Sequence, residues 1–368
     1  MTVPLLLRSA RRTVAPTRTR AALVALAGAA SLAVCGQRAL AQVVFTTDFE
    51  NGLPAQFVAP AAAIEGAQGY AGLGPAGRRF GGAFLRYAAP TLAPTTLTLT
   101  GLPPHTFVDV EFLLAIIDSW DGVERMEVRI DGQLLFSHVW DRQYGTSSYT
   151  PPVGAMLSSG VELGFGSGAY YFTDLAYDLG LEPMLRGIPH TASTLTVEWS
   201  VNAVAGVYAS NWQGGLDESW AIDAVRVRTG NAAATSFGTG CGSPPLMIAP
   251  AFHSWPRLGE TLRTNVDRVP AGVAFMALGF SSVSSGGVPL PASLAAIGMP
   301  GCDLLIDAVD LAQPCAAIGA YIAQHAILVP DVAALVGMHA FLQAWAPAPG
   351  VNAAGIVVSN GIALTVGG

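Results

Sequence analysis

The sequence contains no lysine, and all 18 basic residues of the 368-residue chain are arginine. Six of these arginines precede residue 42, which leaves 12 arginines against 25 acids in the rest of the chain. Nucleic-acid binding requires clustered positive charge that contacts phosphates. The composition therefore excludes nucleic acid as an expected partner, whereas an acidic surface favours hard cations such as calcium.

Long apolar runs are missing after residue 41, so no transmembrane span is expected there. Before it, arginine-rich and acid-free residues 1–20 precede the 14-residue apolar run "AALVALAGAASLAV" and an A-x-A site at Ala39–Ala41. These three parts are typical of a secretory signal peptide, and the run is short for a membrane span. Arg11-Arg12 and Cys35 fit the twin-arginine and lipoprotein patterns poorly. We therefore expect residues 1–41 to be cleaved after Ala41, giving a secreted or cell-surface protein.

Cysteine is also scarce, and signal cleavage would leave Cys241, Cys302 and Cys315. An exported protein meets an oxidising environment, so one disulfide and one free thiol are expected. We favour Cys241–Cys302, because both residues lie in glycine-containing turns ("GTGCGSP" and "MPGCDLL"). A Cys302–Cys315 bond is the alternative.

Helical periodicity is missing as well, and period-two alternation dominates from residue 43 onward. Turn segments rich in glycine (42 residues) and proline (25 residues) separate the alternating runs. We therefore predict an all-β chain: a jelly-roll β-sandwich over residues 42–230, a linker over 231–245, and a smaller β-sandwich-like domain over 246–368. Segments "PASLAAIG" and "PDVAAL" are predicted as single helical turns. The alternating runs that support this prediction include "TTLTLT", "FVDVEF", "RMEVRI", "TLTVEWSV" and "WAIDAVRV".

One of these runs, "DESWAIDAVRV" (217–227), contains an acid among apolar residues. A strict period of two places Asp223 on the face of Val225 and Val227. A buried carboxylate must be hydrogen-bonded, paired or bound to a metal. Asp223 is therefore a candidate calcium ligand, and capping of backbone amides or pairing with Arg226 or Arg228 is the alternative.

The chain resembles jelly-roll modules such as MAM domains and carbohydrate-binding modules over residues 43–229. The resemblance is carried by Phe49, Glu50 and Gly52 near the start and by Ile222, Asp223 and Val225 near the end. It implies that the first and last strands lie together and that Asp48, Glu50 and Asp223 hold a structural calcium ion (Ca²⁺). Ala224 departs from the pattern, because an acid or amide often occupies that position.

Residues 116–128, "IIDSWDGVERMEV", form a second candidate site. Asp118 and Asp121 flank Trp120, so the segment could bind a sugar through ring stacking and carboxylate hydrogen bonds, or hold a second cation. A β-turn with a buried tryptophan is the alternative. Further aromatic candidates for a sugar-binding face are Trp140, Tyr144, Tyr149 and Trp212.

Enzyme signatures are few, since the six histidines are scattered and no H-E-x-x-H motif occurs. We expect a secreted or cell-surface binding protein that recognises a glycan or another extracellular ligand. The alternatives are a polysaccharide hydrolase using Asp118, Asp121 or Glu218, and a structural surface component.

The C-terminal unit, residues 236–368, resembles an uncharacterised β-rich tail found at the end of many exported bacterial proteins. The matching segments are "GTGC", "LPASLAAIGMPGCDLL" and "SNGIALTVG". No activity follows from the resemblance, which implies a shared role in export, anchoring or assembly, with the upstream domain supplying specificity.

Overall fold

The computed structural model describes residues 41–142, 147–166, 173–203 and 212–368. The predicted signal peptide, apart from Ala41, and the candidate ligand residue Tyr144 lie outside these ranges. All regular secondary structure in the described ranges is β-strand or three-residue 3₁₀ helix. The prediction of an all-β fold is confirmed.

Thirteen strands before residue 231 form two antiparallel sheets. The eight-stranded sheet has the order β3-β4-β13-β6-β10-β9, with β1 paired to β13 and β11 to β6; the five-stranded sheet has the order β2-β5-β12-β7-β8. The strands are β1 (Gln42–Thr47), β2 (Phe57–Val58), β3 (Ala62–Gly66), β4 (Ala83–Tyr87), β5 (Thr95–Thr100), β6 (Phe107–Asp118), β7 (Asp121–Ile130), β8 (Gln133–Asp141), β9 (Met156–Val161), β10 (Asp174–Asp178), β11 (Ile188–Pro189), β12 (Thr194–Ala203) and β13 (Glu218–Gly230).

Twelve further strands follow. Eight of them form one further sheet, separate from the two sheets of the first sandwich and called the second sheet below. Its order is β14-β25-β24-β17-β22-β23-β16-β15. Two short hairpins add β18-β19 and β20-β21. The strands are β14 (Ala233–Phe237), β15 (Met247–Pro250), β16 (Thr261–Asp267), β17 (Ala274–Gly279), β18 (Ser284–Ser285), β19 (Val288–Pro289), β20 (Ala292–Ser293), β21 (Asp303–Leu304), β22 (Asp310–Gly319), β23 (Ile322–Leu328), β24 (His339–Pro347) and β25 (Ile356–Thr365).

Helices in the described ranges are single 3₁₀ turns, and two of them lie where the sequence predicts helical turns. No helix in the described part of the chain is long and apolar enough to cross a membrane. The turns are Gln68–Tyr70, Leu179–Leu181, Pro183–Leu185, Ala295–Ile297 and Ala333–Leu335.

The central strand β6 is buried on both faces, which explains its continuous apolar run. Its even-numbered residues, such as Phe112 and Leu114, pack in the core between the two sheets. Its odd-numbered residues, such as Leu113 and Ala115, pack in a second cluster on the outer face of the eight-stranded sheet, beneath Tyr70 and neighbouring aromatic rings. Alternation along the strand therefore separates two apolar clusters.

A β-bulge in β13 corrects the predicted position of Asp223. The pairing of β13 with β6 shifts between Asp223 and Arg226, and Ala224 has a left-handed φ of 46°. Ile222 and Val225, three positions apart, both pack in the core between the sheets. Because the extra residue breaks the period of two, Asp223 does not share the face of Val225 and lies toward the outer side of the sheet.

The second sheet curls around its own core, so that its opposite strands face each other as in a sandwich. Asn360 in β25 reaches β15, where it accepts a hydrogen bond from the Ile248 amide (2.8 Å) and donates one to the Ile248 carbonyl (3.0 Å). Residues 233–237, which the sequence predicts to be linker, instead form edge strand β14. Phe237 packs over Gly361, where an added Cβ would lie 2.5 Å from the ring, so the pairing requires glycine there.

Cys241 and Cys302 form a disulfide with an S–S distance of 2.09 Å, and Cys315 is a free thiol. Both bonded cysteines are buried in the core of the second sheet. The bond therefore fixes the segment before β15 to the turn before β21.

A buried ion pair joins Asp109 in β6 to Arg257, which lies between β15 and β16. Arg257 Nη1 donates to Asp109 Oδ2 (2.7 Å), and both side chains are 5% exposed. The guanidinium also lies 4.1 Å from the centre of the Phe107 ring, against which Trp255 stacks. The second oxygen of Asp109 accepts from the Gly187 amide (2.6 Å), so the carboxylate is satisfied on both sides.

We expect loss of the disulfide to destabilise the second sheet strongly. The bond closes a loop of 61 residues, for which the chain-entropy model gives about 4 kcal/mol. A Cys241→Ser/Cys302→Ser variant should unfold at a clearly lower urea concentration than the wild type. Cys315→Ser is the matched control, and an equal loss in the control would contradict the prediction.

We also expect Arg257→Met to be more harmful than the loss of a surface ion pair. The substitution leaves the Asp109 carboxylate buried without its cation, which costs roughly 3–5 kcal/mol. In a double-mutant cycle followed by urea unfolding, adding Asp109→Asn should recover part of this loss. Additive effects of the two substitutions would show that the pair is not coupled.

Candidate metal sites and an arginine-lined groove

The predicted calcium ligands Asp48, Glu50 and Asp223 lie close together, around the segment that leads into β4. The Gly81 amide donates to Asp223 Oδ2 (2.7 Å), and the Ala83 amide donates to Glu50 Oε1 (2.9 Å). Asp223 Oδ1 accepts from the Ala224 amide (2.5 Å). Backbone amides therefore satisfy both oxygens of Asp223 and one oxygen of Glu50. This arrangement corresponds to the alternative in which Asp223 caps backbone amides.

Burial raises the pKa of Asp223 to about 7, against the opposing effect of the Gly81 and Ala224 amides. The charges of Asp48 and Glu50 contribute to this raised pKa, after burial. They are not among the acid groups of the described residues whose oxygens approach within 4.8 Å of one another. A calcium ion at this position would have to share its ligands with backbone amides.

A closer group of acids forms around Asp118, which is fully buried at the end of β6. Oxygens of Asp118, Glu162 and Asp174 lie within 4.8 Å of one another. The Asp118 amide donates to Asp174 Oδ1 (3.0 Å), and the Leu163 amide donates to Asp174 Oδ2 (2.7 Å). Both oxygens of Asp118 lack a hydrogen-bond partner among the described residues.

The proximity of these acids makes ionisation unfavourable. Burial, followed by the charge of Asp174, raises the pKa of Asp118 to about 7. Burial also raises the pKa of Asp174 to about 6, although the amides of Asp118 and Leu163 lower it. Such carboxyls either hold protons or share a cation.

A second close group consists of Asp121, Glu124 and Glu218, again with oxygens within 4.8 Å of one another. Glu124 and Glu218 are 0% and 1% exposed. One oxygen of each acid, namely Asp121 Oδ1, Glu124 Oε1 and Glu218 Oε1, has no hydrogen-bond partner in the described part of the chain. The two acids that the sequence places beside Trp120 therefore belong to two different groups.

Backbone amides orient the glutamates of this second group. The Asp121 amide donates to Glu124 Oε2 (3.3 Å), and the Gln213 amide donates to Glu218 Oε2 (3.3 Å). None of the three acids takes part in an ion pair between described residues. Burial raises the pKa of Glu124 to about 7, and burial together with the charge of Glu124 raises the pKa of Glu218 still further.

Glu124, Glu162 and Asp174 are not among the site residues that the sequence predicts. The sequence does contain a sign of Glu124. Because side chains alternate along a strand, Glu124 lies on the same face as Met126 and Val128, which point into the core. Glu218 likewise has the parity of Trp220 and Ile222. An acid on the apolar face of a strand therefore marks this site in the sequence.

The tryptophans expected on a sugar-binding face are core residues. Trp120 and Trp140 are fully buried, and Trp212 is 5% exposed. The Trp120 ring packs edge-on against both of the others (5.7 and 5.4 Å between centroids), and its Nε1 donates to the Ser219 carbonyl (2.9 Å). Tyr149 is buried with them. The expectation of stacking platforms at these rings is corrected, because they fill the space between the sheets.

A groove of about 720 Å³ lies on the outer face of the eight-stranded sheet, beside the outer apolar cluster. Its charged lining residues are Arg78, Glu111, Asp178, Arg186, Arg226 and Arg228. A smaller groove, which shares Gly77, Arg78 and Arg226 with the first, adds Arg79 and Asp48. Together the two grooves contain five of the nine arginines of residues 42–230.

Four arginines and two acids line the larger groove, called the arginine-lined groove below, and one of the arginines, Arg186, pairs with Glu260 outside the lining (2.5 Å). Arg78 Nη1 donates to Glu111 Oε2 (2.9 Å), and Nη2 bonds to Asp178. Arg226 Nη1 lies 3.8 Å from Glu111 Oε2, and Arg228 Nε lies 3.4 Å from Glu111 Oε1, an ion pair without hydrogen-bond geometry. One carboxylate therefore faces three guanidinium groups.

No family model and no curated protein matches this chain. Among solved structures, a cleaved adhesin domain of Lys-gingipain from Porphyromonas gingivalis is 13% identical, with 51% of this chain and 100% of that chain covered and a TM-score of 0.23. Dimeric latent PorU from the same organism is 11% identical, with 91% of this chain but only 22% of that chain covered and a TM-score of 0.24. TM-scores this low do not establish a shared fold.

We expect Trp140→Ala to destabilise the first sandwich by roughly 3–5 kcal/mol, because it removes a fully buried ring from a packed core. Urea unfolding of the purified chain measures this loss. Tyr321→Ala is the control, since Tyr321 is 66% exposed and should change stability little. A near-neutral Trp140→Ala would contradict the burial.

Proposed function

We propose that this chain is an exported binding protein of the adhesion type that recognises acidic extracellular glycans through the arginine-lined groove. The observation that carries the proposal is the convergence of Arg78, Arg226 and Arg228 on the single carboxylate of Glu111. The guanidinium donors that Glu111 cannot satisfy are available to a ligand. Uronate and sulfate groups of glycans match the planar fork of arginine through paired hydrogen bonds.

The setting of the groove favours an anionic ligand over a neutral one. Residues 42–230 carry 19 acids against nine arginines, yet four arginines and two acids line the larger groove. A local excess of positive charge on an otherwise acidic protein selects anions by electrostatic complementarity. The burial of Trp120, Trp140 and Trp212 leaves these rings unable to stack on a neutral sugar.

Export is supported by the signal-like residues 1–41 and by the disulfide of Cys241 and Cys302, since disulfides persist in oxidising compartments. Calcium stabilisation of the first sandwich is part of the proposal, with Asp48, Glu50 and Asp223 as ligands. Their electrostatic interaction supports it. Hydrolysis is not favoured, because Asp118 and Glu218 are buried and a polysaccharide could not reach them.

We expect the full chain to bind polygalacturonate or a sulfated polysaccharide and not a neutral glucan. Isothermal titration at low and high salt should show weaker binding at high salt, since ionic contacts are screened. Arg226→Gln and Arg228→Gln should each lower the affinity roughly tenfold or more, the effect of losing a hydrogen bond between charged groups.

Arg129→Gln is the matched control, because Arg129 belongs to the other sheet and pairs with Glu127 (2.8 Å). Equal binding of neutral and acidic polysaccharides, or equal loss in Arg129→Gln and Arg226→Gln, would contradict recognition by the groove. Absence of binding to every polysaccharide would favour a structural surface component.

A further inference from the structure

The buried acids Asp121, Glu124 and Glu218 meet between the two sheets of the first sandwich. Asp121 and Glu124 belong to β7 in the five-stranded sheet, whereas Glu218 begins β13 in the eight-stranded sheet. Both glutamates have the parity of residues that face the core. Two sheets therefore direct carboxylates toward each other at the same end of the sandwich.

We infer that Asp121, Glu124 and Glu218 bind a divalent cation, with calcium as the ion that their ligand chemistry fits, and that the ion holds the two sheets together. The inference is independent of the glycan groove and of the group around Asp48. It rests on three oxygens within 4.8 Å of one another, each without a hydrogen-bond partner among the described residues. Two of the three side chains are almost completely buried.

An isolated group of this kind is unfavourable without a cation. Three carboxyl groups this close together and removed from water cannot all be ionised unless a cation binds to them, and no arginine of the described residues pairs with them. By contrast, the buried Asp109 has both a partner arginine and an amide donor. A divalent ion supplies the missing positive charge and ligates all three orphaned oxygens at once.

The oxygen-only ligand set points to a hard cation. Calcium accepts carboxylates and carbonyls at 2.3–2.6 Å in flexible geometry, whereas zinc favours histidine and cysteine, which are not part of this group. Asp141 lies opposite Asp121 in the pairing of β7 with β8 but is not one of the three acids whose oxygens lie within 4.8 Å of one another. Magnesium prefers to keep several waters, which suits a buried three-acid site less well.

The local backbone supports the arrangement of ligands. Gly122 has a left-handed φ of 86°, and the register of β7 with β8 shifts between Asp121 and Arg125. This irregular start of β7 places Asp121 beside Glu124, three residues later. A Cβ at Gly122 would lie 3.1 Å from an oxygen of Asp141, so a larger residue at this position would crowd the start of β7.

The test is the effect of calcium on the thermal unfolding of the full chain after removal of metals with EDTA. At a hundredfold excess over the dissociation constant, calcium should raise the melting temperature by roughly 5–10 °C. Glu218→Gln should lose the part of this shift that depends on the site. In the metal-free state the same substitution should leave the melting temperature unchanged or raise it, because it removes a buried acid.

Asp223→Asn and the half-exposed Glu198→Gln are the controls. Both should retain the rise in melting temperature that calcium causes by binding to Asp121, Glu124 and Glu218. Glu124→Gln provides a second site variant, and terbium luminescence excited through the adjacent Trp120 provides a second measurement. Terbium emission should be lost in Glu124→Gln or Glu218→Gln and kept in Asp223→Asn. An equal calcium shift in Glu218→Gln and the wild type, or no response to either ion, would overturn the inference.

Failure of this site and failure of the proposed function are distinguishable. If calcium acts only through the Asp48 group, Asp223→Asn abolishes the shift and Glu218→Gln does not. Glycan binding by the arginine-lined groove can succeed or fail in either case, because none of its lining residues belongs to the metal site.

Discussion

The antiparallel pairing of β13 with β6 is the constraint on which the rest of the first sandwich depends. It runs from Glu218 opposite Asp118 to Gly230 opposite Phe107, interrupted only by the bulge after Asp223. The other edge of β13 pairs first with β4 and then with β1. A strand with neighbours on both sides over this length fixes the position of every side chain that it carries.

The bulge determines which of these side chains reach the core. Before it, Trp220 and Ile222 face the space between the sheets; after it, Val225 and Val227 do so. Without the extra residue, Arg226 and Arg228 would fall on the parity of Ile222 and would have to be buried. The bulge instead directs them to the outer face, where they line the groove with Glu111. The place of Arg226 and Arg228 in the groove therefore follows from this irregularity.

The sequence predicts the class of fold because strand alternation and turn residues are local properties. Asp131-Gly132 forms a hairpin turn with φ values of 48° and 79°, as the two residue types favour. The apolar residues of β13 change from even to odd positions between Ile222 and Val225. This change is also visible in the sequence and identifies the bulge, whereas strict alternation placed Asp223 in the core. Glu124 and Glu218 stand out by the same criterion, since each is an acid on an apolar face.

The sequence could not show which acids meet, since this depends on contacts between distant segments. Asp118 and Asp121 are close in sequence, yet they join different groups with partners 44 to 97 residues away in Asp174, Glu162 and Glu218. Nor could it separate exposed from buried tryptophans. Trp120, Trp140 and Trp212 come from polar segments, but their rings meet in the core because the turn after β6, the end of β8 and the segment before β13 converge there.

The distribution of charge follows from the absence of lysine and from the excess of acids. Acids without arginine partners gather in buried groups, where only a cation or protons can neutralise them. Arginines gather on one outer face, where their planar groups share carboxylates and retain free donors. Arg257 and Asp109 differ from both sets, because they form a buried ion pair in which each charge neutralises the other. Strand β13 contributes residues to both distributions, since Glu218 belongs to one of the two buried acid groups and Arg226 and Arg228 line the groove.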